Sequence, residues 1–335
     1  VKTRILITGG LGFVGKYLYT ELLQSGYDVW ASDLHSACAY AGPPLNLARI
    51  RACNVAVAED VFSLVTALKP DCVVHLAAQS SSAKALAEPR ETFVTNALGT
   101  LNLLEAIRSN CPGSSVLVVG SAEIYGPQFA AGLLTEECSL VPVSPYALSK
   151  AAQDLIALEY WRGHSVRTIR TRSFNHTGPG QTTTFALPSF ASQIAQAEAG
   201  LREPVIEVGN MDTVRDFSDV RDVVRAYRLI LEKGEIGSAY NVCSGKAASM
   251  GALLQILTSL SRVKITVKKS ESRMRPADIP YLVGDNSKMT ARTGWKPCFE
   301  MEQTLSELLD FWREKVKEHP CSGVRSSDIG RKETR

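Results

Sequence analysis

Near its start the chain runs a short apolar strand, Arg4-Ile5-Leu6-Ile7-Thr8, into Gly9-Gly10-Leu11-Gly12-Phe13-Val14-Gly15 and on into an amphipathic segment of helical length, Phe13–Gln24. Glycines spaced G-x-x-G-x-x-G at a strand-to-helix turn permit positive φ. They also let backbone N–H groups approach a pyrophosphate at the helix N-terminus. The alternation continues through the first half of the chain. Strands are predicted at Asp28–Ser32, Ile50–Cys53, Cys72–Leu76 and Val116–Val119, and helices at Val61–Leu68 and Thr92–Ser109. Strands this rich in Val, Ile and Leu, separated by helices, predict an α/β fold: a Rossmann-type doubly wound parallel sheet covered on both faces.

The second half is less regular. A helix is predicted from Pro145 to Arg162, then a strand at Val166–Thr171 and a Gly/Pro/Thr-rich loop over Asn175–Thr184. Helices follow at Leu187–Ala199, Asp219–Glu232, Ala252–Leu260 and Glu302–Val316, with strands near Tyr240–Val242 and Ile265–Lys268. The expected organisation is a dinucleotide-binding lobe over 1–173, rejoined by 212–243. A smaller, discontinuous C-terminal lobe is expected over 174–211 and 244–318, and a polar basic tail over 319–335.

Composition narrows the function classes. The 335 residues carry a net charge of +3, and six Lys/Arg against three Asp/Glu from Lys315 onward account for that excess. A near-neutral body argues against a nucleic-acid surface. No apolar run reaches the roughly 18 residues of a membrane span, and the first residues form a strand and carry no leader pattern. Eight scattered cysteines without a C-x-x-C pair read as buried thiols in a reducing compartment, and five isolated histidines give no metal spacing. A cytoplasmic protein without a metal site is expected.

Candidate chemistry lies at two further places. Asp33 ends the second strand, where a carboxylate accepts the adenosine ribose hydroxyls and repels a 2′-phosphate. That favours NAD(H) and leaves NADP(H) open; a helix-capping role for the same residue is the alternative. Tyr146 and Lys150 stand four residues apart on one helix face, and Ser121 ends the strand Val116–Val119. A cation near a phenol favours phenolate and lowers its pKa, suiting it to proton transfer.

With these residues in order, the chain resembles the extended short-chain dehydrogenases/reductases of the NAD-dependent epimerase/dehydratase family that act on nucleotide sugars. His75-Leu76-Ala77-Ala78-Gln79 and the segment from Asn96 to Glu105 add to the likeness. Arg172-Ser173-Phe174-Asn175-His176, Val214-Arg215-Asp216, Tyr240-Asn241-Val242-Cys243-Ser244-Gly245 and Arg275-Pro276-Ala277-Asp278 point to its GDP-mannose branch. Within that branch the chain is more similar to reductases of GDP-linked 4-keto-6-deoxy hexoses, which would form GDP-D-rhamnose, than to 4,6-dehydratases.

The resemblance implies a catalytic set of Ser121, Tyr146 and Lys150, with Tyr146 protonating the C4 oxygen. Glu123 occupies the position of the dehydratase base. Cofactor contacts would come from Gly9, Gly12, Phe13, Val14, Gly15, Asp33, Asn54, Val55, Leu76, Ala77, Ala78, Asn96, Tyr146, Lys150 and Phe174. The family pattern has Asp where this chain has Asn54, whose side chain keeps an acceptor for the adenine amino group. Ser81, Ser121, Asn175, Arg215, Arg275 and Asp278 would meet the GDP-sugar. An ion pair for Arg215 with Asp216 or Asp219, and a turn role for Asp278, are the alternatives. A homodimer through the helices Thr92–Ser109 and Tyr146–Arg162 is implied as well. A 4,6-dehydratase, a 4-epimerase and a cofactor-binding protein without chemistry are the rival readings.

Overall fold

The computed structural model describes residues 2–34, 45–128, 132–271 and 279–318. Within these the chain order is β1 (Arg4–Thr8), α1 (Phe13–Gln24), β2 (Asp28–Asp33), β3 (Ile50–Ala52), α2 (Ala58–Leu68), β4 (Cys72–His75), α3 (Ser82–Ala87), α4 (Pro89–Phe93), α5 (Gly99–Asn110), β5 (Ser115–Ser121), α6 (Pro145–His164), β6 (Arg167–Ser173) and β7 (Asn175–Thr177). Then come α7 (Ala186–Glu198), β8 (Val205–Val208), β9 (Val214–Asp219), α8 (Val220–Lys233), β10 (Ala239–Val242), β11 (Ala247–Ser249), α9 (Met250–Ser259), β12 (Thr266–Lys269), β13 (Tyr281–Leu282), α10 (Ser287–Thr293) and α11 (Met301–Glu318). Among the described residues no helix is long and apolar enough to cross a membrane.

The chain divides into two compact units. The larger comprises Val1–His176, Arg215–Ala247 and Ile279–Cys298; the smaller comprises Thr177–Val214, Ala248–Asp278 and Phe299–Arg335.

The larger unit carries a seven-stranded sheet in the order β10-β6-β5-β4-β1-β2-β3, and each of its pairings is parallel. Strand residues alternate between two cores, as a sheet covered on both faces requires. Ile5, Ile7, Val74 and Leu117 face one cluster with Leu18 and Leu22 of α1 and Val223, Tyr227 and Ile230 of α8. Leu6, Val73, Val116 and Val118 face the other, with Leu64 and Val65 of α2, Leu103 and Ile107 of α5 and Ala157 of α6. The order reverses between β1 and β4, and ligands in such sheets bind outside the strand C-termini at that crevice.

The smaller unit packs α7, α9 and α11 around a parallel pair, β8 and β12. Arg313 on α11 donates to both carboxylate oxygens of Glu198 at the end of α7, each at 2.7 Å, and ties those two packed helices together.

Several stretches differ from the sequence expectation, which placed no element at α3, β8, β11, β13 or α10. The helix expected over Thr92–Ser109 is broken by a π-helical turn at Val94–Leu98, which sets Asn96 facing inward. The loop expected over Asn175–Thr184 begins with the three-residue strand β7, and β9 precedes the helix expected from Asp219. β7 has only three residues, and both strands carry polar residues where β1, β4 and β5 carry apolar ones, so neither gives the apolar signal of a strand.

Candidate active site

The turn after β1 is built for a close approach. Gly9 sits at φ +70°, and a methyl group there would stand 2.7 Å from the Ala77 amide nitrogen. At Gly15 an added methyl would stand 2.5 Å from the Gly9 carbonyl oxygen, so α1 lies directly against the turn. The N-cap of α1 is Gly12, which offers no side chain to the first amides of the twelve-residue helix. Phe13 and Val14, the first residues of α1, are half-buried. The Phe13 ring stacks on His176, with centroids 6.4 Å apart and planes 10° from parallel.

Asp33 closes this cradle from the end of β2. Its carboxylate accepts from the Leu11 amide at 3.0 Å and from the Leu34 amide at 2.9 Å. The acid is thereby anchored to the glycine turn and not to a helix start. The cradle, the uncapped helix and the anchored carboxylate fit the diphosphate and adenosine ribose of a dinucleotide. Further along the crevice Leu76, Ala77 and Ala78 line the chain after β4 and are each half-buried.

Four of the expected cofactor residues have their side chains engaged by the protein. The Asn54 side-chain oxygen accepts from the Ala56 amide at 3.0 Å, which leaves it one lone pair. Val55 is buried against α5. Asn96 is fully buried; its Oδ1 accepts from the Gln79 amide at 2.7 Å, and its Nδ2 donates to the Gln79 carbonyl and to Ser149 Oγ. Asn96 therefore ties the loop after β4 to α6. The Phe174 ring is buried in a cluster with Tyr125, Cys243 and Leu282.

Ser121, Tyr146 and Lys150 converge. Ser121 ends β5; its hydroxyl accepts from the Glu123 amide at 3.2 Å and lies close enough to the Tyr146 phenol to lower its pKa. Tyr146 and Lys150 follow from α6, which Ser144 caps by accepting from the Ala147 amide. Lys150 is buried, and its ammonium donates to the Val119 carbonyl at 2.7 Å and to Gln153 Oε1. Burial pushes the Lys150 pKa down to about 7, partly opposed by Asp154.

The expected lowering of the Tyr146 pKa is corrected here. Burial foremost, and the nearby Glu123 carboxylate after it, push the phenol above its ordinary value, with the Ser121 hydroxyl pulling the other way. Lys150 is not among the groups that shift it, and its ammonium is bonded to Val119 and Gln153 instead. Tyr146 is therefore a phenol with a proton to give at neutral pH.

Glu123 lies in the single turn Ala122–Tyr125 and accepts from Ser82 Oγ at 3.4 Å. Ser81, the N-cap of α3, accepts from the Lys84 amide at 3.2 Å. Asn175 and Arg215 are half-buried on β7 and β9. Asp216 is fully buried and accepts from Ser244 and Gly245, while Asp219 is paired with Arg221. Arg275 and Asp278 lie outside the described residues, as does the tail from 319 onward.

Sequence reasoning did not single out the polar groups behind the site. Asp154 on α6 is clamped between Arg170 at 2.8 Å and Arg172 at 3.2 Å, and Arg172 also donates to the Tyr125 hydroxyl. Gln153, which accepts from the Lys150 ammonium, stands one turn past Lys150, a helical spacing that could have found it.

Residues 6–308 match the family model described as GDP-mannose 4,6 dehydratase. GDP-6-deoxy-D-mannose reductase of Pseudomonas aeruginosa is 34% identical, over 94% of this chain and 99% of its own. GDP-6-deoxy-D-talose 4-dehydrogenase of Aggregatibacter actinomycetemcomitans is 33% identical over 85% and 90%. Among solved structures, RMD from Pseudomonas aeruginosa complexed with NADPH superposes with a TM-score of 0.82 at 33% identity, covering 94% of this chain and all of its own. A Thermus thermophilus UDP-glucose 4-epimerase complex with NAD gives a TM-score of 0.82 at 26% identity, over 93% and 99%. A match over most of the chain, on a fold whose glycine turn and Ser-Tyr-Lys set stand at the crevice, places this protein in the GDP-mannose 4,6-dehydratase family of extended short-chain dehydrogenase/reductase enzymes.

Proposed function

We propose that this protein reduces the C4 keto group of a GDP-linked 4-keto-6-deoxy hexose to a GDP-6-deoxyhexose, GDP-D-rhamnose. The observation that carries the reading is the protonated Tyr146 phenol beside the Ser121 hydroxyl at the end of β5, with Lys150 one turn along the same helix. The likeness to the Pseudomonas reductase supports the substrate class.

Gly9, Gly12, Phe13, Val14, Gly15 and Asp33 would hold the diphosphate and adenosine ends of a nicotinamide dinucleotide, Leu76–Ala78 its middle, and Lys150 its nicotinamide ribose. The reduced dinucleotide supplies the hydride that adds to C4. Tyr146 gives its proton to the C4 oxygen, and Ser121 stabilises the charge that develops there. Asn175 and Arg215 would bind the sugar diphosphate, Arg215 through its guanidinium fork. Asp33 favours NAD(H), whereas a similar structure holds NADPH. Comparing NADH with NADPH, and repeating it with Asp33→Ser, decides the preference.

A homodimer is part of the proposal. Phe93 and Leu98 beside α5, and Leu148 and Leu155 on α6, are large apolar side chains left exposed on the two helices the interface would use. Sedimentation of the wild type and of Leu148→Glu/Leu155→Glu tests it. A cytoplasmic location follows from the use of a GDP-sugar and nicotinamide.

One observation favours a second reading. Glu123 is close enough to Tyr146 to raise its pKa, the placement a 4,6-dehydratase base requires. Two assays separate the readings: GDP-mannose with NAD⁺, and GDP-4-keto-6-deoxymannose with NADH or NADPH. Stoichiometric oxidation of the nicotinamide with a deoxyhexose product in the second alone supports the reductase. A 4-keto product in the first, without net cofactor change, would replace it with the dehydratase.

A further inference from the structure

Behind Lys150 runs a line of buried polar side chains that the reaction as proposed leaves without a role. Gln153, fully buried on α6, accepts from the Lys150 ammonium through Oε1 and donates from Nε2 to Thr100 Oγ1 at 2.8 Å. The Thr100 hydroxyl donates its one proton to the Asn96 carbonyl at 2.7 Å, so it meets its other neighbours as an acceptor. Those neighbours are the Gln153 amide and His75 Nε2, the latter at 3.0 Å. On the far side of the ring, His75 Nδ1 lies 2.7 Å from Thr8 Oγ1, and the Ala77 amide donates to that hydroxyl at 3.4 Å.

The line has one sense only. Because the Thr100 proton is committed, the Gln153 amide must turn its NH₂ to Thr100 and its oxygen to Lys150. For the same reason His75 carries its proton on Nε2 and accepts from Thr8 on Nδ1. Lys150 is thereby joined, through three side chains from two helices and a strand, to Thr8 at the start of the glycine turn.

We infer that Gln153 is a positioning residue for Lys150: its amide oxygen, oriented by Thr100 and His75, holds the buried ammonium charged and in place for the cofactor. A buried ammonium keeps its proton only where its N–H donors find acceptors, and Val119 and Gln153 supply two of three. The inference rests on the reading of Lys150 as a cofactor-binding and catalytic group. The other ionisable groups around it are Asp154 on its own helix, clamped by Arg170 and Arg172, His75 on β4, and Tyr146 with Glu123 beyond it. Burial has already brought Lys150 close to neutrality, so the loss of one acceptor acts where it is most visible.

The test compares Gln153→Leu with Gln153→Glu. Two readouts are taken across pH: affinity for NADPH and NADH by fluorescence without sugar, and turnover of GDP-4-keto-6-deoxymannose. Removing the acceptor lets Lys150 lose its proton sooner, so the alkaline limb of both profiles moves toward acid by about one pH unit in Gln153→Leu. Turnover at pH 7 falls by about five-fold in the same variant, the share of Lys150 that such a shift discharges. A carboxylate at 153 holds the proton longer and moves the limb the other way. Limbs that stay at the wild-type position, or move the same way in both variants, overturn the inference. If Gln153→Leu does not fold, Thr100→Val, which deletes only the orienting hydroxyl, is read by the same criterion. A wild-type protein that binds dinucleotide but does not turn over this sugar would refute the proposed substrate, and the affinity profiles would still decide the role of Gln153.

Discussion

His75 gives the most direct quantitative check on this interior. Its ring is fully buried with both nitrogens bonded, and desolvation together with the nearby Lys150 charge pushes its pKa down to about 3. In an unfolded chain the same imidazole titrates near about 6.5. Since the folded value is the lower one, acidification loads the unfolded state with a proton that the native state refuses. The stabilisation is complete above the unfolded pKa and is lost as pH falls from about 6.5 toward 3. Between pH 7 and pH 5 the loss from this group alone is about 2 kcal/mol, set by protonation of the unfolded chain while the native ring stays neutral. His75→Gln has nothing to titrate there. Urea unfolding of both proteins at the two pH values should show the wild type losing about 2 kcal/mol more than the variant, whatever the variant's own starting stability. His176, which burial also lowers, and the carboxylates titrate in both proteins and cancel. Equal losses would refute the picture of a neutral, doubly bonded His75.

Further outcomes are expected at three other positions. Tyr146→Phe should keep NAD(P)H affinity within a few-fold and lose about 10²–10⁴ in turnover, measured by nicotinamide absorbance; unchanged turnover would reassign the proton donor. Gly9→Ala, with φ +70° and the Ala77 nitrogen 2.7 Å from the new methyl, should cost about 1–3 kcal/mol and weaken dinucleotide binding by calorimetry. Asp154→Ala leaves two buried guanidinium groups uncompensated and should lower stability by about 3–5 kcal/mol in thermal melts, whereas Arg108→Ala, which breaks an exposed pair with Glu105, should leave the melt in place.

Much of the sheet was legible because its strands are buried on both faces and therefore read as apolar runs. Arg4–Thr8 and the helix Phe13–Gln24 were expected over the residues they occupy, and the other four strands of the first half within two residues at each end. β7 and β9 were not, because polar residues there make hydrogen bonds that no hydrophobic period reports. The glycine turn was readable from spacing, and Asp33 from its place at a strand end. The opposite sign of the Tyr146 shift was not readable. A Tyr-x-x-x-Lys spacing places the two side chains on one helix face, but the partners of the lysine come from β5 and from the next helical turn. Local spacing also missed the π turn that carries Asn96, whose bonds reach Gln79 and Ser149.

The broken numbering of the larger unit has a consequence for synthesis. Trp295 is fully buried in the core formed with α1 and α8, and its indole donates to the Asp222 carbonyl at 3.0 Å. The outer strand β10 pairs along β6, from Ala239 beside Arg170 to Val242 beside Ser173. A ribosome that has released the chain only as far as His176 has exposed a sheet with an open edge and one face lacking its largest side chain. Closing that face waits for contacts far apart in sequence, which makes folding slow relative to local helix formation. The nascent chain therefore depends on holding or delay until Trp295 has emerged, and a truncation before Trp295 should yield aggregate in place of a smaller working domain.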